Sequence, residues 1–279
     1  MNISIVMAYH NRRRLLCNTL ESIRSYWPGG TENEIIIVDD ASDDAHDIND
    51  LKEIYDLNIE VIKLPKEEKT WINPCIPFNI GFANANNEII IIQNPECIHQ
   101  GNITEYTLNN IEENTYLNYA CYSINKFLTF VINNTQISTD NIFESVNEII
   151  SPLVNDRVPD NGENGWYNHS IHKPYMLHFC SAIMRKDLYD LGGFDERYAN
   201  GLGFDDNELI ERIRKKQMAI ETIDDPFVIH QYHDGFLLEK DKKHIRYVRK
   251  MMKANLKLLN KVTIKSDNYD VKTYNEYYK

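Results

Sequence analysis

Acidic and histidine side chains follow several of the most apolar runs of this sequence. Asp39 and Asp40 come directly after a run of isoleucines and a valine, Glu96 follows a second run of isoleucines, and His230 and His233 follow a third, shorter run. Carboxylate and imidazole together suit a divalent transition metal. Acids are also common in solvated turns, and a lone pair of histidines is more often structural, so both interpretations stay open.

A second acidic pair, Asp205 and Asp206, stands where a helix is predicted to begin. Acids at that position can cap the helix and interact favourably with its dipole. A carboxylate there can also act as a general base towards a hydroxyl group. Between these groups, Trp166 lies in a segment with neighbouring glycine and asparagine, which fits a mobile loop or a tryptophan packed in the core.

The elements that must position these residues alternate between strand and helix in the first hundred residues. Buried parallel strands are apolar on both faces, and such alternation predicts an α/β fold with a Rossmann-like, doubly wound, mostly parallel sheet. Ligands bind beyond the carboxyl ends of the strands of such sheets, where the acidic residues fall. The predicted strands are 3–7, 34–38, 59–64 and 88–92, and the predicted helices run from about 15 to 23, from 51 and from 77 to 85.

The second half of the chain has a weaker pattern. We expect loops with minor elements over 125–173, a strand over 175–184, a helix over 206–216 and short strands at 219–223 and 227–229. A long amphipathic helix with a basic outer face is predicted over 237–262. These elements divide into a catalytic domain (1–236, with halves 1–100 and 101–236), the helix, and a tail (263–279).

Composition excludes several classes of protein. Hydrophobic residues make up 42% of the chain and charged residues 26%, which argues against disorder. The net charge of −12 makes nucleic-acid binding a poor expectation. Five scattered cysteines favour a reducing, cytoplasmic compartment, and no apolar run approaches the ~20 residues of a membrane span. The basic helix, with nine Lys/Arg against two acids over 239–261, is the segment most suited to contact an anionic membrane surface or an acidic partner.

Several runs of the sequence resemble family-two glycosyltransferases. Ile3–Arg12, Ile35–Ser42 and Asn79–Ala83 resemble the opening of that family, and Gly192–Arg197 followed by Gly203–Asp206 resembles a galactosyltransferase-type acceptor segment. The resemblance covers about residues 3–100 and 165–235, in the family's order. It implies a GT-A fold, a uridine-diphosphate (UDP) sugar as donor and a divalent metal ion, Mn²⁺ or Mg²⁺.

The resemblance also implies roles for individual residues. Glu96 takes the place of the last acid of the family's D-x-D motif, with His233 and His230 as further metal ligands, while Asn94 replaces the first acid. Asp206 matches the family's general base, and Asp205 would bind the acceptor sugar. The residues expected to contact the donor are Ala8, Tyr9, Asn11, Arg12, Asp39 (to the base), Asn79, Asn94 and Trp166.

The expected activity is an inverting transfer of a hexose or N-acetylhexosamine from the UDP-sugar to a carbohydrate or glycosylated acceptor. Inversion follows from one base with no nucleophile on the opposite face of the sugar. Two alternatives stay open. One is a degenerate sugar-binding module, because the D-x-D motif is altered. The other is a sugar nucleotidyltransferase, which the absence of a glycine-rich loop after the first strand disfavours.

Overall fold

The computed structural model of the protein describes residues 1–27, 32–134, 154, 163–234 and 242–263. The strands are β1 (Ile3–Tyr9), β2 (Glu34–Asp39), β3 (Ile59–Lys63), β4 (Ile89–Gln93), β5 (Cys97–Gln100), β6 (Thr115–Ser123), β7 (Gly165–Asn168), β8 (Cys180–Met184) and β9 (Ala219–His230). The helices are α1 (Arg13–Ser25), α2 (Leu51–Tyr55), α3 (Cys75–Asn84), α4 (Ile103–Asn110), α5 (Lys126–Asn134), α6 (Arg185–Leu191), α7 (Asp205–Lys215) and α8 (Lys242–Leu259), with short 3-10 helices at Asp44–His46 and Glu196–Tyr198.

The nine strands form one sheet in the order β3-β2-β1-β4-β8-β6-β9-β5, with β7 paired to β6. Strands β1 to β4 are parallel to one another. The second half adds antiparallel pairs, β4 with β8, β8 with β6 and β9 with β5, and one parallel pair, β6 with β9. The predicted α/β architecture is confirmed, and each of its antiparallel pairs includes a strand from the second half of the chain.

Helices cover both faces of the parallel strands, which explains why those strands are apolar throughout. Ile5 of β1 packs in a cluster with Leu16 and Leu20 of α1 on one face. Its neighbour Val6 packs in a second cluster with Phe78 of α3 on the other face. Each fully buried side chain of this size contributes about 1.5–3 kcal/mol. Since both faces are closed, a polar site can form only at the ends of the strands.

The Asn79–Ala83 motif owes its glycine to close packing of α3 on the sheet. A Cβ atom built on Gly81 would lie 2.4 Å from Cγ1 of Val6 and 3.3 Å from Cγ2 of Val38. Any larger residue would therefore push α3 away from β1 and β2, and overpacking of this kind costs about 1–3 kcal/mol. The contact fixes the helix beside the carboxyl ends of both strands.

The structure differs from the predicted elements in three places. The strand predicted over 175–184 begins only at Cys180, because Met176 has a φ of 62°, which no strand residue adopts. The two short strands predicted at 219–223 and 227–229 form a single strand, β9. The register of β9 against β6 shifts between these two stretches. The stretch predicted as loops also contains α5 and β7.

The C-terminal helix α8 packs on the body through Val248 and Asn255, which are buried. Nδ2 of Asn255 donates hydrogen bonds to the carbonyl oxygens of Tyr198 (3.2 Å) and Gly203 (2.8 Å), so the helix holds the segment that leads into α7. No helix within the described residues has the length and hydropathy needed to cross a bilayer. Contact of the basic face with lipid or a partner stays a prediction. Residues 237–241, at the start of the predicted helix, and nearly all of the tail lie outside the described residues.

Candidate active site

A cavity of about 520 Å³ opens at the carboxyl ends of β1, β2 and β4. Ala8 and Tyr9 of β1 form part of its wall, together with Asp40 after β2 and Asn94 and Glu96 after β4. The first strands of the sheet are parallel, so their carboxyl ends meet at one edge, as the sequence predicts. The cavity lies at the edge of the sheet where the sequence predicts a ligand.

Of the two acids that follow β2, Asp40 lines the cavity and Asp39 does not. Asp39 is 1% exposed, and its Oδ1 accepts the backbone N–H of Ser42 at 2.9 Å, which stabilises the turn. Asp40 accepts the indole N–H of Trp71 at 2.8 Å on Oδ1 and the ammonium of Lys69 at 2.8 Å on Oδ2. The structure thus places Asp39 away from this cavity, because side chains alternate along a strand, and the expected contact of Asp39 with the donor stays a prediction.

Lys69 and Trp71 are residues that the sequence reasoning missed. Both line the cavity, from the segment between β3 and α3, about thirty positions after Asp40. A carboxylate has about four lone-pair positions, so Asp40 can still accept a hydrogen bond from a ligand after binding both partners. No motif in this segment signals the contact.

Glu96, His230 and His233 lie together next to the cavity. Oε1 of Glu96 is 3.4 Å from Nε2 of His230 and 3.3 Å from Nε2 of His233, and Nη1 of Arg12 donates to Oε2 at 3.1 Å. The two histidines and the acid offer one ligand atom each, all within 4.8 Å of one another. Carboxylate and imidazole form a donor set that fits a divalent transition metal.

The ionisation states of these groups agree with that donor set. Burial opposes the charge of Glu96, but Arg12 and the two imidazoles outweigh it and lower the pKa of the carboxyl well below its usual range. Burial lowers the pKa of His230, which favours the neutral imidazole that can ligate a metal. An anionic carboxylate and a neutral imidazole are the forms that bind metal ions.

The convergence of Glu96 and His230 comes from an antiparallel pair of strands. The register of β5 with β9 sets Cys97 opposite His230, so the start of one strand lies beside the end of the other. Nε2 of Gln231 donates to the carbonyl oxygens of Glu96 (3.0 Å) and Leu15 (3.1 Å), which fixes the turn that brings His233 back. Glu96 and His233 also follow strands that run in the same direction, because β4 and β6 are each antiparallel to β8 and β6 is parallel to β9.

The acidic pair Asp205–Asp206 stands at the start of α7, where His178 joins it. Asp205 is 7% exposed and its Oδ1 accepts Nδ2 of Asn73 at 2.7 Å. Burial, and then the charge of Asp206, raise the pKa of Asp205 to about 6. Burial also opposes the charge of Asp206, but His178 outweighs it and lowers the pKa of that carboxyl. The two acids therefore titrate apart, which is a common feature of catalytic carboxyl pairs.

This pair adjoins the cavity through two of its neighbours. Asn73, the partner of Asp205, stands between Ile72 and Pro74, which both line the cavity. The ring of Phe78 also lines it and packs edge-on against His178, with centroids 5.4 Å apart.

Three residues expected at the donor have other contacts in the structure. Asn79 is fully buried. Its Nδ2 donates to the carbonyl oxygen of Phe194 at 2.9 Å, and its Oδ1 accepts the backbone N–H of Phe194 at 2.8 Å, so Asn79 connects α3 to the Gly192–Arg197 segment. Asn11 exchanges hydrogen bonds with Asp43 at 3.0 and 2.8 Å. Trp166 lies in β7, 5% exposed, and packs on Tyr122, so of the two interpretations left open by the sequence, the tryptophan packed in the core is the one that the structure has.

The chain is similar to known proteins in its sequence family and in its fold. The family model for glycosyl transferase family 2 matches residues 4–192, and the model for the N-terminal domain of galactosyltransferase matches residues 172–234. No curated protein matches the chain. Among solved structures, S. aureus TarS 1–349 in complex with UDP-GlcNAc is similar with a TM-score of 0.60 at 14% identity, over 99% of this chain and 70% of that one.

Two longer solved chains are similar over shorter shares of their length. A structure of S. aureus TarS has a TM-score of 0.58 at 15% identity, with 99% of this chain covering 42% of that one. GalNAc-T7 with UDP, GalNAc and Mn²⁺ has a TM-score of 0.58 at 16% identity, with 83% of this chain covering 44% of that one. The chain thus spans less than half of either protein, and these likenesses concern the fold. With the family model matching more than half of its residues, the chain belongs to glycosyl transferase family 2 and has the GT-A fold.

Proposed function

We propose that the protein transfers a hexose or N-acetylhexosamine from a UDP-sugar to a hydroxyl group of a carbohydrate or glycosylated acceptor, with inversion and with a divalent metal ion. The observation that carries the proposal is the cluster of Glu96, His230 and His233 beside a cavity that also contains Asp40. The likeness to TarS with UDP-GlcNAc and to GalNAc-T7 with UDP, GalNAc and Mn²⁺ supports this choice of donor and metal.

The base of the nucleotide belongs, in this proposal, beside Asp40. Uracil has an imide N–H, and an ionised carboxylate accepts such a proton but cannot donate one. Lys69 and Trp71 hold both oxygens of Asp40, so its orientation is set before a ligand arrives. The backbone of Ala8 and Tyr9, at the end of β1, closes the same part of the cavity.

The diphosphate belongs, in this proposal, beside Glu96. Glu96, His230 and His233 would hold the ion, which, when bound, offsets the charge of the departing diphosphate. Arg12 keeps Glu96 ionised and adds a positive charge to the same wall. Asn94 lines the cavity. Its side-chain amide would offer a neutral oxygen and an N–H group to the ribose or to the sugar of the UDP-sugar.

Asp206 is the proposed base. Its lowered pKa leaves it ionised at neutral pH, so it can take the proton of the acceptor hydroxyl as that oxygen attacks the anomeric carbon. Asp205, with its higher pKa, would hydrogen-bond the acceptor sugar. One base and a single displacement give inversion, which proton NMR of the product's anomeric signal checks directly.

A donor-hydrolysis and transfer screen across nucleotide sugars, with Mn²⁺, Mg²⁺ or EDTA, tests the proposal. Activity is expected with a UDP-sugar and a metal ion. Glu96→Gln should remove the metal-dependent activity, because a neutral amide binds the ion less well and leaves the diphosphate charge uncompensated. Asn94→Ala is the matched control and should lose less. Full activity in EDTA would refute the metal site, and sugar binding without nucleotide or turnover would favour a binding module.

A further inference from the structure

His178 is a buried histidine to which the proposed mechanism gives no role. It is 6% exposed and lies two residues before β8. Its ring Nδ1 contacts Oδ1 of Asp206, and its backbone N–H donates to the same oxygen at 3.0 Å. The side chain and the main chain of one residue thus engage one oxygen of the proposed base.

The ring of His178 has little freedom to turn away. Its centroid lies 5.4 Å from that of Phe78, edge-on, and 4.8 Å from that of Phe194, tilted. Phe78 comes from α3 and Phe194 from the segment before α7, so two separate parts of the chain enclose the imidazole. The packing therefore keeps Nδ1 of His178 against Oδ1 of Asp206.

The two oxygens of Asp206 are consequently unlike each other. Oδ1 accepts from His178, whereas Oδ2 accepts no hydrogen bond from any of the described residues. The side chain of Asp206 is 28% exposed, while that of the neighbouring Asp205 is buried and bonded to Asn73. The free oxygen belongs to the more accessible of the two acids.

We propose that His178 is a positioning residue of the sugar transfer, which holds Oδ1 of Asp206 so that Oδ2 faces the acceptor hydroxyl. The inference rests on the proposed function, in which Asp206 takes the proton of that hydroxyl. During transfer the hydroxyl proton moves to Oδ2, the acceptor oxygen bonds the anomeric carbon, and the bond from that carbon to the diphosphate oxygen breaks, with its electron pair leaving on the diphosphate. His178 exchanges no bond and acts through Asp206 alone.

The charge of His178 gives this role a measurable signature. Burial disfavours the imidazolium, but Asp206 outweighs it and raises the pKa of His178. The ion pair in turn lowers the pKa of Asp206. The other titratable groups that face the pair are Asp205 on α7, which acts on His178, and Tyr116 on β6, which interacts with Asp206, while Cys75 on α3 faces Asp205. Removal of the imidazole should therefore move the acidic limb of the pH–rate profile to higher pH.

Two substitutions of His178 separate orientation from charge. His178→Phe keeps a ring between Phe78 and Phe194 but has no donor, and kcat should fall by about 10²-fold, as expected for a misplaced catalytic group. His178→Asn keeps a donor near Nδ1 but no charge, so it should recover much of kcat. Both variants should shift the acidic limb of kcat/KM upwards and leave the Kd for UDP unchanged.

The reference variant is Asp206→Asn, for which the loss of a general base predicts a fall of about 10²–10⁴-fold. If Asp206→Asn is inactive while both His178 variants keep the kcat and the pH profile of the wild type, the positioning role is wrong and the proposed function stands. If Asp206→Asn turns over normally, the base assignment fails, and the role of His178 fails with it. Should His178→Phe not fold, as shown by its thermal melt, the pH profile of His178→Asn alone decides between these outcomes.

Discussion

The substitution Asp40→Asn tests which acid of the Asp39–Asp40 pair hydrogen-bonds the nucleotide base. The carboxylate of Asp40 is held by Trp71 and Lys69 at 2.8 Å each and borders the cavity, whereas Asp39 is turned into the protein. A hydrogen bond to a charged group contributes about 1.5–3 kcal/mol. Loss of one such bond to uracil should therefore weaken UDP binding by about 10- to 150-fold.

The variant should also lose part of its preference among bases. Cytosine has an acceptor where uracil has its imide N–H, so the carboxylate of Asp40 should repel cytidine diphosphate (CDP). The amide of Asn at this position can donate to that acceptor. We therefore expect the ratio of the CDP and UDP dissociation constants to fall in Asp40→Asn, with a weaker UDP complex and a stronger CDP complex.

Isothermal titration calorimetry without metal is the appropriate assay, because the contact concerns the base and not the diphosphate. Asp39→Asn is the matched control, since its amide oxygen can still accept the N–H of Ser42 and UDP affinity should stay close to that of the wild type. Thermal melts show whether both variants fold. Equal UDP affinity in Asp40→Asn and wild type, or a loss confined to Asp39→Asn, would refute the reasoning.

Two further predictions concern stability. The pKa of Asp205 is raised to about 6 in the folded protein, so the ionised carboxylate opposes folding. Asp205→Asn, whose amide oxygen can still accept the hydrogen bond from Asn73, should therefore raise Tm at pH 7.5, and this gain should shrink as the pH falls from 6 to 4. A gain in Tm that does not depend on pH would contradict this. Gly201→Ala would place a Cβ 1.8 Å from Oδ1 of Asn255 and should cost about 1–3 kcal/mol in urea unfolding. Asn255→Ala should remove most of that cost in the double variant, and purely additive effects would show that the clash is not the cause.

The sequence was sufficient for the family, the α/β fold and the edge of the sheet at which the site lies. The apolar runs of β1, β2 and β4 predict buried parallel strands, and polar residues after such strands mark their carboxyl ends. Motifs in a fixed order along the chain carried the family resemblance. This information is local, because each strand, helix start and motif spans only a few neighbouring residues.

The tertiary structure decided which side chain of each motif reaches the cavity. A strand covered on one face shows in its alternating pattern which residues point inwards, but β2 is buried on both faces and its sequence has no such alternation. Asp39 and Asp40 therefore could not be told apart before the packing was known. The same holds for Trp166, whose partners Tyr122 and Phe227 are distant in sequence.

Long-range pairing decided the remaining contacts. The proximity of Glu96 and His230 depends on the register of β5 with β9. The proximity of His178 and Asp206 depends on a loop that crosses the start of α7. Lys69 and Trp71 reach Asp40 from a segment without any motif. Such pairs form because side chains far apart in the chain fill the same space in the fold, and a local pattern of residue types carries no information about that space.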